Sequence, residues 1–489
     1  MKCLRTFPLL LLILCAPILA KAQSTNATIS GVVVDPSGKV ITDADIEILN
    51  EATGVYYSGK TNGTGIYTIT ILPPGQYRIQ VSKIGFKTLI KPGVILNVQS
   101  AVALNFTLPV GATSESVTVD AGASLINTTD ASVSTVIDQK FVENIPLNGR
   151  SFQDLISMTP GVVTQSPQAQ SSIGLNGDFS VNGQRDESNY YMVDGVAANV
   201  SGGTGGGTPE PGNTGSLPSS TALGTTQSLL SVDALQEFRV ESSTYSAEYG
   251  HTPGAQFSLV TRSGTNIFKG TLFDYLRNNY FDANDWFNDH YGQPISALRQ
   301  NDFGGTLGGP IWMPRLYDGR DKSFFFGSYE GLRLTQPEPA SIQYVPDVYL
   351  RQQAPVALQP ILNAYPIPNG VDYGNSQTPN LAQLTKSYSL PSQIDAVSLR
   401  LDHTLTPKLM GFARYGFTPS STNSRYLSEV QQVRSSSQSI TLGVTSQMSR
   451  NASGDFRLSY LSAKASQTGA LDDFGGATPL NLPTSMGVP

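Results

Sequence analysis

Cysteine is almost missing from this chain of 489 residues. Cys3 and Cys15 are its two thiols, and both lie in the first 22 residues. Once that leader is removed the mature chain has none, which excludes disulfides, thiolate nucleophiles and cysteine metal sites. Histidine is nearly as scarce. His251, His290 and His403 stand far apart in unlike surroundings, so a shared metal site is not expected. Charge is low as well, at 14% of residues against about 25% in ordinary soluble domains. The net charge of -6 leaves no basic footprint for nucleic acid. Neither a G-x-S-x-G elbow nor an H-E-x-x-H pair occurs, no pair of catalytic carboxylates can be nominated, and no enzyme, catalytic residue, metal or cofactor is expected. Beyond the N-terminus no apolar run reaches about 18 residues. A membrane location therefore requires a β-barrel, since only helices and closed barrels satisfy their backbone in lipid.

What the chain does have is turn formers and short alternating segments. Its 47 glycines, with many Asn, Ser and Thr, suit a β-rich fold with frequent turns. Residues 1–22 have the form of a signal peptide. Lys2 and Arg5 give the charged start, Phe7 to Leu19 the apolar stretch, and Ala20-Lys21-Ala22 the cleavage site. Cys15 as a lipidation site is disfavoured by the large Leu14 before it.

Residues 23–110 read as a β-sandwich of short strands between turns. "YTITIL" sets Tyr67, Ile69 and Ile71 on one face, and "YRIQVS" does the same with Tyr77, Ile79 and Val81. "VALNFTL" aligns Val102, Leu104, Phe106 and Leu108. Gly54 to Thr61 matches the phosphate-loop pattern letter for letter. That chemistry needs a helix N-terminus facing the phosphates. Asn62-Gly63-Thr64-Gly65 and a strand follow instead, so a strand and hairpin turn is the expectation. "GVVVDPSG", "TGVYYSGKTNGTGIYTI" and "LPPGQYRIQVSKIGFK" resemble the carboxypeptidase-regulatory-like domain, a transthyretin-like module with a carbohydrate-binding-like fold. The resemblance implies no peptidase. Carbohydrate binding is implied by the fold name alone, and no aromatic platform is evident.

Residues 111–265 mix short helices and strands. Asp138 caps a short helix through "QKFVENI" that ends at Pro146, and Ser151 with Asp154 forms a capping-box pattern before a second. A further helix start at Asp233 to Gln236 runs into the strand "EFRVES". Ser201 to Ser220 has the composition of a flexible loop. Within "NGQRDESNYYMVDGV", Asp186, Glu187 and Asp194, with Asp178 before them, lack calcium-loop spacing. Asp194-Gly195 reads as a turn, and Arg185, Asp186 and Glu187 as a polar, paired connection. A ligand site there is the less favoured alternative.

The pattern "PLNGRSFQDLISMTPGV…FSVNGQRDESNYYMVDGV…VDALQEFRVESSTYSAEYG…AQFSLVTRSGTN" resembles the plug of TonB-dependent outer-membrane receptors, closest to their Oar-like branch. The resemblance makes Asn182, Gly183, Gln184, Arg185, Asp194 and Gly195 a plug signature, in two plug strands and their connection. It places Glu115, Ser116, Val117, Thr118 and Val119 where the family has its TonB-contacting segment or the strand beside it. Strand addition to a sheet edge of TonB and an ordinary linker strand are equally open readings of that stretch.

Residues 266–489 alternate in runs of the length a tilted membrane strand requires. Val397, Leu399 and Leu401 oppose Ser398, Arg400 and Asp402. Ile440, Leu442 and Val444, and Phe456, Leu458 and Tyr460, form similar stripes. "NNYFDANDWFNDHYGQP" and the stretch from Gln336 to Gln393 read as long polar connections. Roughly seven strands are expected, against about 22 in closed transporters of this class. The chain is therefore read as an N-terminal fragment of a longer receptor.

The expected fold class is mainly β: a transthyretin/Ig-like sandwich, an α+β plug, and the first strands of an incomplete transmembrane β-barrel. The resemblance implies a receptor in the outer membrane of a Gram-negative bacterium, surrounded by outer-membrane lipid. Its partners would be TonB, with its inner-membrane energising complex, and an extracellular substrate: siderophore, oligosaccharide or peptide. Tyr280, Trp286 and Tyr291, with the Ser201 to Ser220 loop, are the candidate substrate-facing groups. The alternative is a secreted or surface-attached carbohydrate- or protein-binding β-protein, and membrane fractionation separates the two. A carbohydrate-active enzyme with an accessory sandwich is a third possibility, with no carboxylate pair to support it.

Overall fold

The computed structural model describes residues 24–118, 132–145, 152–164, 179–200, 218–219, 221, 224, 226–245, 249–250, 253–448 and 452–480. The expected signal peptide, Val119, Asp178, nearly all of the Ser201 to Ser220 loop and His251 lie outside them.

Two facing sheets build the first unit. One contains β1 (Ala27–Val34), β4 (Ile66–Leu72), β7 (Ala101–Ala103) and β8 (Phe106–Thr107). The other runs in the order β3 (Tyr56–Lys60), β2 (Asp45–Asn50), β5 (Gly75–Ser82), β6 (Thr88–Leu96) and β9 (Ser116–Thr118). The alternation seen in the sequence is the burial pattern. Tyr77, Ile79 and Val81 are fully enclosed, as are Ile46 and Ile48 opposite them. The phosphate-loop match is β3 followed by a turn in which the Asn62 side chain accepts from the Thr64 and Ile66 amides. No helix follows it, as expected. "VALNFTL" keeps its inward face but is broken in two. Val32 donates its amide to the Asn105 side chain, and Leu104 donates to the Ser30 carbonyl. The detour brings the Leu104 carbonyl against Gly31, where an added Cβ would lie 1.8 Å from its oxygen.

The second unit centres on a five-stranded sheet in the order β10 (Val133–Asp138), β15 (Leu235–Ser243), β16 (Gln256–Thr261), β13 (Tyr190–Val193) and β14 (Val196–Ala197). Helix α1 (Gln139–Asn144) starts where the Asp138 carboxylate accepts from the Phe141 amide. A second helix, α2 (Phe152–Ser157), packs Leu155 and Ile156 into the core with Phe179, Tyr191, Phe238 and Phe257. The expected helix start at Asp233 is a single 3-10 turn over Val232–Ala234. Leu235 and the β-branched, aromatic run after it pair at once with β16, which leaves no room for a second turn. "FSVNG" and "YYMVDGV" do not pair with each other. β12 (Phe179–Val181) joins β11 (Val162–Thr164) in a separate ribbon, while β13 runs parallel to β16.

A seven-stranded antiparallel meander forms the third unit: β17 (Lys269–Asn278), β18 (Arg299–Pro310), β21 (Ser323–Pro346), β22 (Leu381–Thr406), β23 (Leu409–Tyr426), β24 (Glu429–Gln447) and β25 (Ser453–Leu471). A small ribbon, β19 (Trp312–Met313) with β20 (Tyr317–Asp318), fills the turn before β21. The two-faced pattern holds along the sheet. Leu272, Val397, Leu399, Leu401, Ile440, Leu442, Leu458 and Tyr460 are exposed on one face. Ser398, Arg414, Thr441 and Thr445 are buried on the other, against the plug. A continuous exposed apolar band of this kind has the pattern of a membrane β-strand's lipid side.

The strands are far longer than a bilayer requires, 24 and 26 residues in β21 and β22. The expected connection from Gln336 to Gln393 is therefore ladder at both ends, and the true connection is 347–380. Polar alternation such as "TKSYSLPSQ" pairs as well as apolar alternation does, but it carries no hydrophobic signal. Replacing Gly31 with Ala should lower sandwich stability by about 1–3 kcal/mol, the usual cost of overpacking. Proteolysis under graded urea would show this as earlier cleavage within residues 27–110.

Candidate functional site

The Asp-Gly turn of the plug signature joins β13 to β14 through two residues, with φ of 51° at Asp194 and 81° at Gly195. Two positive φ values in a two-residue hairpin favour this residue pair. The turn reading is thus correct, but Asp194 does more than make a turn: it is 2% exposed. Its Oδ1 accepts from the Thr261 amide and hydroxyl at 3.0 Å each, within the plug. It also accepts from Arg400 Nη1 of the barrel wall at 2.9 Å. Arg414 Nε lies 3.8 Å from Oδ2. Arg457 Nε donates to the Asp194 main-chain carbonyl at 3.2 Å.

These three arginines come from β22, β23 and β25, and all point inward because each shares the parity of the buried face. Arg400 Nη2 pairs with Asp402 at 2.8 Å, and Arg457 pairs with Asp455. The Phe412 ring lies between the Arg400 and Arg457 guanidiniums, 4.4 and 5.0 Å from its centroid. Three aspartates thus offset three arginines, as buried charges require. Ser263 of the plug donates to Asp402 at 2.8 Å, and Ser24, at the start of the sandwich, donates to Asp455 at 2.9 Å. All three units meet at this cluster. A hollow of about 820 Å3, bordered by Tyr57, Arg262, Phe268 and His403, opens beside it.

A second polar contact ties the plug to the sandwich. Arg239 of β15 donates to the Gln99 carbonyl at 3.1 Å and pairs with Glu241 at 3.1 Å. Glu237 on the same face accepts from the Val98 amide. Burial pushes the Glu237 carboxyl up to about 8 against the opposing pull of that hydrogen bond, with Asp138 adding to the rise and Arg239 opposing it.

The other sequence candidates are dispersed. Asn182 (φ 52°) and Gly183 (φ 76°) form the turn after β12, and the Asn182 side-chain Nδ2 donates to the Ser242 carbonyl at 3.0 Å. Gln184 and Arg185 follow, leading to a 3-10 turn at Asp186–Ser188, so the charged stretch is the polar connection expected. Ser116, Val117 and Thr118 are β9, which pairs in parallel with β6, and Glu115 bridges Lys87 at 2.6 Å. Tyr280, Trp286 and Tyr291 lie on the 279–298 connection. Trp286 stacks on His290 at 4.9 Å, and His290 meets Tyr291 edge-on, so two of the three are brought together, while Tyr280 pairs with Phe281. Asn288, not singled out in the sequence, anchors that connection: it is buried and accepts from the Ala340 amide at 2.8 Å. Among the described residues no group of three or more potential metal ligands occurs.

Three family models match the chain in the order of the three units. The carboxypeptidase regulatory-like domain covers residues 28–109, the TonB-dependent receptor plug domain 126–255, and an outer membrane beta barrel domain 260–354. The TonB-dependent transporter Oar of Myxococcus xanthus is 27% identical over 326 residues, which is 63% of this chain and 27% of that protein. Together these matches support an Oar-like TonB-dependent receptor. It spans about a quarter of the length of this relative. Among solved structures, the outer membrane transporter YddB from Escherichia coli is 12% identical with a TM-score of 0.42, over 65% of this chain and 37% of that one. The siderophore receptor PirA from Acinetobacter baumannii is 13% identical with a TM-score of 0.38, over 68% and 44%. The barrel and plug matches support an outer-membrane location.

Asp194→Asn leaves three arginines short of one buried counter-charge and should cost about 3–5 kcal/mol, as breaking a buried pair does. Earlier urea-induced cleavage within the plug, with the wall still resistant, is the expected readout. The Glu237 contact has its own pH signature. A folded pKa raised above the unfolded value means that the contact's contribution is complete below about 4.5 and declines as pH rises towards about 8. Protease access to residues 97–100 should therefore increase over that window, and Glu237→Gln should flatten the increase.

Proposed function

We propose that the receptor binds an extracellular substrate at its long-loop end and imports it when TonB, driven by its inner-membrane complex, pulls on the plug. One observation supports this reading above the others: the plug is seated on the barrel wall by a polar cluster around Asp194. An apolar seal costs free energy for every square ångström of surface exposed. Ion pairs and hydrogen bonds can pass to water as they separate, so a polar seat can be parted by a modest force and re-formed. The hollow beside the cluster gives water a place to enter.

In this reading residues 1–22 direct export, 23–110 form a periplasmic sandwich, 111–265 the plug, and the wall starts at 266. Ser116 to Thr118 is the segment that TonB takes, with Glu115 and Val119 flanking it. An extended, β-branched strand at the end of a sheet suits strand addition. Tyr280, Trp286 and Tyr291 face the substrate from the 279–298 connection, where Tyr280 and Trp286 are exposed.

Site-specific photo-crosslinking from position 117 tests the partner. The expected result is a covalent adduct with the periplasmic part of TonB in energised cells, lost when Ser116 and Thr118, on either side of the probe, are replaced by proline, which cannot donate to a strand ladder. Efficient substrate uptake without such an adduct would eliminate this segment as the contact. Recovery of the mature protein in the medium, and not in outer membranes, would overturn the receptor reading in favour of a surface-binding protein.

A further inference from the structure

The outward face of the wall is not apolar throughout. Its two longest connections, 279–298 and 347–380, leave one end of the meander with the two-residue turn 427–428, while the shorter connections 311–322 and 407–408 and the link from β24 to β25 leave the other. Tyr57 and Ser24 of the sandwich contact the short-turn end, at Met410 and Asp455. Short turns face the periplasm and long loops the exterior in barrels of this kind. Towards the long-loop end the outward positions change from Leu, Val, Ile and Tyr to polar residues.

Arg299 and Arg333 occupy this zone on adjacent strands. Register fixes their placement: Arg299 is opposite Thr335, and Asn301 is opposite Arg333. The two arginines are thus diagonal neighbours on one face, about 7–8 Å apart at the backbone. Each stands four residues along its strand from an aromatic on the same face, Phe303 in β18 and Tyr329 in β21. They border a hollow of about 420 Å3 with Asn301, Gln393, Ser421 and Gln432. Arg434, opposite Ser421, and Lys464, opposite Ser436, continue the basic zone on the outward faces of β24 and β25.

The acids on this face are Asp395, which binds Arg333 at 2.9 Å and accepts from Tyr329 at 2.7 Å, and Asp274 on the first strand. Arg333 is held by Asp395 and by the Leu332 and Ile394 carbonyls. Arg299 is exposed and, among the described residues, has no side-chain hydrogen bond or ion pair. A free guanidinium and a fixed one beside it, at the edge of a lipid-facing band, are arranged for an anion whose apolar part lies in the bilayer.

We propose that this hollow binds the phosphate-bearing headgroup of an outer-leaflet lipid. Arg299 and Arg333 bridge a phosphate monoester, and the acyl chains lie along Leu276, Tyr329 and Val397. Guanidinium forks suit phosphate oxygens. The boundary with hydrocarbon lowers the local dielectric and strengthens the pairing relative to open water. A free phosphate offers the same charge without the chains, so the two sources are separable. The proposal depends on the outer-membrane location and not on TonB or on any cargo.

The test uses receptor purified from outer membranes in a neutral detergent, titrated calorimetrically. The probes are dihexanoyl phosphatidic acid, dihexanoyl phosphatidylcholine and inorganic phosphate. Phosphatidic acid should bind most tightly. Arg299→Gln should weaken it about tenfold, while Lys39→Gln in the sandwich should leave it unchanged. Arg299 has no partner to lose, so its replacement leaves the wall intact, whereas Arg333→Gln also removes carbonyl contacts. Unchanged phosphatidic acid affinity in Arg299→Gln overturns the site. Inorganic phosphate binding as tightly as the lipid overturns the lipid assignment and leaves a soluble-anion site. Absence of the protein from the outer-membrane fraction would instead refute the membrane reading on which the proposal stands.

Discussion

A carboxylate removed from water must be paired, and much of this structure is arranged to pair one. Asp194 is buried at the tip of a two-residue turn, and a lone charge there would cost several kcal/mol. Three independent features meet the requirement. The positive φ values of Asp194 and Gly195 aim the side chain out of the plug sheet. The parallel pairing of β13 with β16 brings Thr261 within reach of both carboxylate oxygens. Strand parity in β22, β23 and β25 then turns Arg400, Arg414 and Arg457 inward to meet it. A register slip of one residue in any of those strands would send its arginine to the lipid face.

The same parity divides the wall chemically. Along the apolar band residues of one parity are exposed, and those of the other are buried and largely polar, with Phe324 and Phe326 among them. The inner contact is therefore made in large part by hydrogen bonds and ion pairs, whose free energy is returned largely by water when they part. The sandwich is attached by the same kind of bond, through Glu237 and Arg239 at the turn around Gln99, and through Ser24 at Asp455. Both joints of the plug carry these polar contacts, and the wall adds apolar ones: Phe326 packs into the plug core and Phe324 into the sandwich core.

Much of the architecture was legible because period-two alternation is a local signal. Tyr77, Ile79 and Val81, or Val397, Leu399 and Leu401, declare their faces in the sequence alone. The turn after Lys60 dismissed the phosphate-loop reading before any coordinates, since no helix follows it. Legibility failed where the signal is not local. The ladder beyond Gln336 alternates in polar residues, and so it read as a loop. The Asp233 helix start obeys a capping rule, but it lost to the adjacent strand, whose pairing with β16 is a tertiary matter. Asp194 read as a turn residue because its partners lie as far as 263 residues away.

By itself the sequence determined the class of each unit and the faces of most strands. Composition and near-neighbour periodicity suffice for these, because backbone geometry imposes the period. Tertiary structure alone decided which polar residues carry weight. Arg400, Asp402 and Asp455 are ordinary alternating residues until the wall curves around the plug. Arg299 and Arg333 are loop-end charges until the register of β18 and β21 sets them side by side. Electrostatic partnership depends on distance through space, and the fold brings together what the chain order keeps apart.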